Sequence, residues 1–171
     1  MQAPSVLDSR YAWKRLAVTL LIATIANVGM WSIITIMPEV QAEFDTARAA
    51  ASLPYTLTMA GFALGNLVIG RAVDRFGITL ALSGAAVTLG IGYSAAAASS
   101  SIHMLSAAQF VIGLGTAVGF GPLIADISLW FARRRGIAVA IAACGNYLSG
   151  VVWPILLRSL PYDAGWRGSY V

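Results

Sequence analysis

Five long apolar runs, each near or beyond the roughly 20 residues that a bilayer-spanning helix needs, alternate with short polar connectors along the chain. They extend from about Leu16 to Pro38, Ala50 to Ala72, Ile78 to Ala98, Met104 to Leu129 and Gly136 to Leu157, and a sixth opens near Trp166 just before Val171. Residues 1–15 read as a cytoplasmic N-terminal segment, and residues 16–171 as one helical transmembrane bundle. The first run follows Arg10, Lys14 and Arg15 but is too long for a cleavable signal core, so it is expected to stay as a membrane helix.

Composition agrees with the pattern. The chain is 58% hydrophobic and 11% charged, with a mean hydropathy of +0.78. Soluble domains carry about 25% charged residues, so this chain lacks the charge to cover a water-facing surface. The single cysteine, Cys144, rules out an intrachain disulfide and a cysteine-based zinc cluster.

The charges lie between the runs, and their sign alternates with the connectors. Arg10, Lys14, Arg15, Arg71, Arg75, Arg133, Arg134 and Arg135 fall on one side of the predicted bundle, against only Arg48, Arg158 and Arg167 on the other. By the positive-inside rule the first side is cytoplasmic, with the N-terminus inside. The net charge of +4 is thus explained by the membrane, without nucleic acid. Arg133–Arg135 is chiefly a topology determinant beside anionic lipid heads. The four tryptophans near span ends, Trp13, Trp130, Trp153 and Trp166, are expected to anchor at the interface.

Glycine spacing marks packing faces. Gly61 and Gly65, and again Gly115 and Gly119, form GxxxG pairs that let helix backbones approach in lipid. Gly113, Gly115 and Gly119 come near a nucleotide-binding glycine pattern, but the last spacing is wrong and no strand precedes them.

The connector after the second run reads Gly70-Arg71-Ala72-Val73-Asp74-Arg75-Phe76-Gly77. It resembles the G-x-x-x-D-R-x-G signature of the major facilitator superfamily, in the loop where that family carries it. Gly70 would permit close helix approach, Asp74 would face a helix dipole, Arg75 would pair with a carboxylate and Gly77 would allow the turn. The resemblance implies that Gly70, Asp74, Arg75 and Gly77 latch the two halves of a transporter on the cytoplasmic side. Ile78, Thr79 and Leu80 follow where the family usually places basic residues, which points to a weaker or altered latch.

A narrower resemblance, to the monocarboxylate-transporter-like branch with its oxalate/formate-type carriers, runs through Gly113-Leu114-Gly115, Pro122, Trp130-Phe131-Ala132-Arg133-Arg134-Arg135-Gly136, Gly145, Gly150 and Gly165-Trp166-Arg167. Asn27-Val28-Gly29-Met30-Trp31 matches that branch's first-helix motif loosely, with Asn27 in place of its acidic residue. The resemblance implies an all-α membrane fold: the N-terminal six-helix bundle of the family, truncated within helix six. It implies a missing C-terminal helix bundle as partner, no cofactor, and a small-molecule solute as cargo, with small organic acids as the class. Gln109 stands where the family commonly has a helix-four arginine, so a carboxylate cargo would need a cation elsewhere. A chain without its partner bundle is expected not to transport unless it dimerises.

Polar groups inside the runs are the candidate functional residues. An unpaired amide in hydrocarbon costs several kcal/mol, and transporters bind near the bilayer midplane. Asn27 and, one turn on, Trp31 sit in the first run between Thr24 and Thr35; Asn146 and Tyr147 sit in the fifth, and Tyr55 in the second. They either contact cargo or tie helices together. Asp126 is the one ionisable residue expected within a span, where it pairs with Arg75 or with Arg133–Arg135 in a gating network. His103, a lone loop histidine, is expected to be solvated.

Alternative readings are a non-transporting membrane scaffold or receptor, a drug- or sugar-type carrier of the same superfamily, and an integral membrane enzyme. The last requires clustered catalytic or metal-binding groups, and the sequence has one histidine and neither HExxH nor GxSxG.

Overall fold

The computed structural model describes residues 7–159 and 165–170; Asp163, in the connector after the fifth span, and Val171 lie outside the described residues. Among the described residues there are eight α-helices, two short 3-10 segments and no strand. The helices are α1 (Arg10–Ala26), α2 (Val28–Glu43), α3 (Arg48–Ala51), α4 (Leu53–Phe76), α5 (Ile78–Ala97), α6 (Ile102–Thr116), α7 (Gly121–Ser128) and α8 (Arg135–Ser159). Five segments are long and apolar enough to cross a membrane: 10–43, 48–76, 78–97, 102–128 and 135–159.

The first span starts earlier and ends later than hydropathy suggests. Ser9 caps α1, its Oγ accepting the Ala12 N–H at 3.3 Å. The whole segment covers 34 residues, about 51 Å at 1.5 Å per residue, against a hydrocarbon core of about 30 Å. Its charged terminal turns, with Arg10, Lys14 and Arg15 at one end and Glu39 and Glu43 at the other, therefore project beyond the hydrocarbon. Residues 10–15 are helical and continuous with this span.

The fourth span (α6, a 3-10 turn at Ala117–Gly119, and α7) forms the axis of the bundle. Its apolar window is 56% buried, against 17% for the third and fifth spans. α4 and α5 pack on α6, while α8 packs on α1 and α2. Glycine permits the closest of these approaches. A Cβ at Gly61 would collide with the Phe110 carbonyl and one at Gly113 with the Thr58 carbonyl, while one at Gly65 would lie 2.6 Å from the Leu114 oxygen. Gly115 and Gly119 divide their work, the first meeting Leu89 of α5 and the second meeting Asn27.

Gly77 closes the hairpin between α4 and α5 at φ +83°, a conformation that a side chain would strain. Gly70 behaves otherwise: a Cβ there would meet nothing within 4 Å, so the close approach expected at that glycine is not made within the described bundle.

Candidate functional site

The first and fourth spans both break, and the breaks meet. α1 ends at Ala26 and α2 begins at Val28, with Asn27 between them at φ −86°, ψ 4°. The Asn27 side chain competes with the helix for its own backbone, Nδ2 donating to the Ala23 carbonyl at 2.7 Å. The same Nδ2 donates to the Gly119 carbonyl at 3.3 Å, inside the break of the fourth span. That second break follows from its composition. Gly119-Phe120-Gly121-Pro122 combines two residues of low helix propensity with a proline that has no N–H to give. Phe120 sits at φ −125°, ψ −89° between the 3-10 turn and α7.

A second asparagine flanks the break from α4. A Cβ on Gly121 would lie 2.5 Å from Asn66 Oδ1; Asn66 Nδ2 donates to the Phe62 carbonyl at 2.8 Å, and the Phe62 and Phe120 rings are 6.1 Å apart. Non-helical backbone at membrane depth persists only where protein or water satisfies it, and in transporters such interruptions mark the binding region. Buried polar oxygens without a partner among the described residues include Asn27 Oδ1 and Thr116 Oγ1 on the two broken spans and Asn146 Oδ1 and Ser149 Oγ on α8. Each costs about 1–3 kcal/mol if left dry, so this zone favours water or a polar solute.

The predicted substrate residues separate into three environments. Trp31 and Asn146 come together, with Trp31 Nε1 donating to the Asn146 carbonyl at 3.2 Å and the Trp31 ring lying against Gly150. Trp153 returns the bond from the other helix, donating to the Thr24 carbonyl at 2.8 Å. Asn27, expected on one face with Trp31, turns instead to the fourth span, because the break intervenes between them. Tyr147 is 68% exposed on α8, and Tyr55 packs against the core cluster around Ile33 and Leu105.

Charged groups lie at the two ends. At the end of the bundle that holds the start of α1, Arg15 holds Asp126 with Nε to Oδ2 at 3.1 Å and Nη2 to Oδ1 and Oδ2 at 3.1 and 2.9 Å, and its guanidinium sits 4.5 Å from the Trp130 ring centroid. This corrects the pairing expected with Arg75 or Arg133–Arg135. The early start of α1 carries Arg15 alongside α7, whereas Arg75 is exposed at the end of α4, over the Phe76 ring at 5.3 Å. Asp74 is exposed beside it, as are Arg133, Arg134 and Arg135, and Arg135 Nε donates to the Phe131 carbonyl at 3.1 Å.

Asp8 binds the connector that carries those arginines. Its carboxylate accepts the N–H groups of Arg133 at 3.0 Å, Ala132 at 3.1 Å and Arg134 at 3.4 Å. The Arg133 N–H first, with the Ala132 and Arg134 N–H groups and the Arg134 charge adding to it, holds the Asp8 carboxyl below its ordinary value, against the opposing effect of desolvation.

At the opposite end Glu43 pairs with Arg167 at 2.7 Å, Trp166 Nε1 donates to the same carboxylate, and Arg167 donates to the Ser99 carbonyl at 2.8 Å. Trp166 is thus buried inside the bundle rather than anchored at the interface. Gln109 is engaged in a buried chain, accepting from Thr58 at 3.0 Å and donating to the Tyr170 hydroxyl at 2.5 Å.

Sequence reasoning missed Asn66, Thr116 and Arg15. Asn66 carried the same signal as Asn27 and Asn146, a lone amide in an apolar run. Arg15 and Thr116 gave none, the first reading as a flanking charge and the second as one hydroxyl among many.

The profile of the Major Facilitator Superfamily matches residues 19–171. The chain is 33% identical to the human protein "Monocarboxylate transporter 6" over 99% of its own length and 34% of that protein's. It is 28% identical to the mouse protein of the same name over 96% of the chain and 35% of the relative. It is also 33% identical to the "Fujikurins efflux protein" of Gibberella fujikuroi, over 58% of the chain and 21% of the relative. The chain spans about a third of the length of the two monocarboxylate transporters it matches. Matched along almost its whole length, and built as apolar helices around a central fourth span, the chain belongs to the major facilitator superfamily.

Proposed function

We propose that this chain forms the N-terminal bundle of a secondary solute carrier that works by alternating access, with small organic acids as its cargo class. The observation that carries the reading is the junction of the two helix breaks, where Asn27 of the first span binds the Gly119 carbonyl of the fourth. A continuous helix resists bending, whereas two joined interruptions give a point about which inner and outer halves can tilt, and they present polar groups at mid-depth. Trp31 and Asn146 extend that polar surface to the fifth span, whereas Tyr55, packed on the Ile33–Leu105 cluster, and Tyr147, exposed on α8, lie apart from it. No covalent chemistry is required. The bundle sits in the cytoplasmic membrane with its N-terminus inside, and a C-terminal bundle completes the path. The signature loop, Gly70 to Gly77, meets that second bundle: Gly70 and Asp74 are uncovered on this one.

Cargo chemistry has a second reading supported by one observation. All 11 lysines and arginines lie at span ends or in connectors, and the groups around the breaks are neutral amides and hydroxyls. A neutral cargo, as in drug- or sugar-type carriers, is bound by such groups alone; a carboxylate requires a cation from the second bundle. Uptake into liposomes separates these readings. The chain would be reconstituted alone and with the C-terminal bundle of the human relative, and offered labelled lactate, oxalate and glucose. The proposal expects carboxylate flux only with both bundles present, reduced by Asn146→Ala. Glucose flux without carboxylate flux would favour the neutral reading, and no flux of any solute would remove both.

A further inference from the structure

The first and fifth spans run side by side, and their contacts give the register. Gly145 lies against Ala23 and Gly150 against Trp31. Further along the same direction, the buried Ile36 and Leu157 line one pocket. Three elements wall that pocket. Thr35 and Glu39, one turn apart, share a face of α2. Arg158 stands in the last turn of α8, and Trp166 comes from the 3-10 segment Gly165–Tyr170. Thr35 lies about 12 Å along the first span from Asn27 at 1.5 Å per residue, toward the end of the bundle opposite the Arg15–Asp126 pair.

The charges around this mouth fall into two groups. Glu43 and Arg167 pair with each other, and Trp166 gives its N–H to Glu43. Glu39 and Arg158 both line the pocket and are both exposed, yet among the described residues neither makes an ion pair or a side-chain hydrogen bond. Among the described residues they are also the charged groups of the lining, so the pocket presents both signs and no net charge.

That pattern selects the occupant. An acyl chain or an apolar helix laid over the pocket would bury two unpaired charges, which is costly. A simple carboxylate would satisfy Arg158 and be repelled by Glu39. A solute that carries a cation beside its carboxylate satisfies both. The deeper side of the pocket is polar as well. Thr35 donates its hydroxyl hydrogen to the Trp31 carbonyl at 3.1 Å, which leaves its oxygen free to accept. Trp31, one turn deeper, donates to the Asn146 carbonyl. The pocket therefore adjoins the polar surface that leads to the helix breaks.

We infer that this mouth captures zwitterionic 2-amino acids. The solute carboxylate accepts from the Arg158 guanidinium, whose planar fork matches it, and the solute ammonium donates to the Glu39 carboxylate. The cargo class thereby narrows from small organic acids to amino-carboxylic acids. The inference rests on the carrier reading for the solute's onward passage. Its test reads binding, so a chain that binds and moves nothing counts against the carrier reading alone.

The purified chain in mild detergent would be titrated calorimetrically with L-alanine and with L-lactate, which differ in carrying an ammonium or a hydroxyl beside the carboxylate. Arg158→Gln and Glu39→Gln each remove one charge. Arg48→Gln removes an exposed cation that does not line the pocket. All three positions are exposed, so the variants are expected to keep the wild-type circular dichroism. Wild type and Arg48→Gln are expected to bind alanine more tightly than lactate. Arg158→Gln should weaken both ligands by about tenfold or more, the worth of a hydrogen bond to a charged group. Glu39→Gln should weaken alanine alone and abolish the preference. Absence of saturable alanine binding to wild type, equal binding of the two ligands, or an unchanged preference in Glu39→Gln would overturn the inference.

Discussion

Neutralising Arg15 and Asp126, singly and together, gives the sharpest energetic test of the bundle. The pair is bidentate, with contacts of 2.9–3.1 Å, and the side chains are 28% and 15% exposed. Two charges about 4 Å apart attract by roughly 4 kcal/mol at an effective dielectric of 20. Solvent access lowers the net figure: exposed pairs are worth about 0.2–1 kcal/mol, and breaking a fully buried pair costs about 3–5 kcal/mol. A coupling energy of about 1–2 kcal/mol is therefore expected between Arg15→Gln and Asp126→Asn. The single variants should differ. After Asp126→Asn the long arginine side chain can snorkel to the headgroups. After Arg15→Gln the short, less exposed carboxylate is stranded, and a cation–π contact with Trp130 worth about 0.5–1 kcal/mol is lost as well. Arg15→Gln should be the more destabilising, and adding Asp126→Asn should restore part of the loss. Reversible unfolding in mixed micelles, followed by tryptophan fluorescence, measures all four proteins. Additivity within about 0.3 kcal/mol would refute the pairing, and coupling of Asp126 to Arg75 instead would reinstate the sequence-based expectation.

Two further outcomes are expected. Gly119→Ala places a Cβ 2.8 Å from Asn27 Nδ2 and 2.9 Å from Ala26 Cβ, and should destabilise the bundle by about 1–3 kcal/mol through overpacking; the same unfolding assay reads it, and a neutral substitution would deny the contact between the breaks. Asp8, held below its ordinary value of 3.8 chiefly by the Arg133 N–H, should clamp the connector at neutral pH and release it only as pH falls through its lowered value, the stability being present above the unfolded-state pKa; the protection of the Arg133 and Arg134 amides, exchange measured relative to the intrinsic rate at each pH, should fall on acidification in wild type and already be low at neutral pH in Asp8→Asn.

How far the molecule was legible in its sequence depended on which interactions are local. The spans were legible because each is a continuous apolar run, and the α4–α5 turn because Gly77 is where a chain needs positive φ. The close approach of α4 and α6 was announced by Gly61 and Gly65. The first span's true start was not, because a hydropathy pattern stops at charges, while a helix capped by Ser9 continues through Arg10, Lys14 and Arg15 beyond the hydrocarbon. That hidden extension is also why the Asp126 partner was misjudged. The breaks were obscure for another reason. A lone asparagine is tolerated in a long helix, and Asn27 interrupts this one while its side chain is bound to Ala23 and to the Gly119 carbonyl, a residue far along the chain. Gln109 read only as a missing arginine, and its place in the Thr58–Tyr170 chain depends on three-dimensional packing of three spans. Trp153 and Trp166 read as interface anchors by position, yet both spend their N–H inside the protein.

The five-span threading underlies the depth of the breaks and the side of the signature loop. Side-specific labelling tests it most directly: Ser100→Cys and Arg134→Cys, each in a Cys144→Ala background, would be exposed to a membrane-impermeant maleimide in intact cells and in inverted vesicles. Labelling of position 100 only from outside and of position 134 only from inside is expected. Both positions reacting from one face of the membrane would contradict the threading.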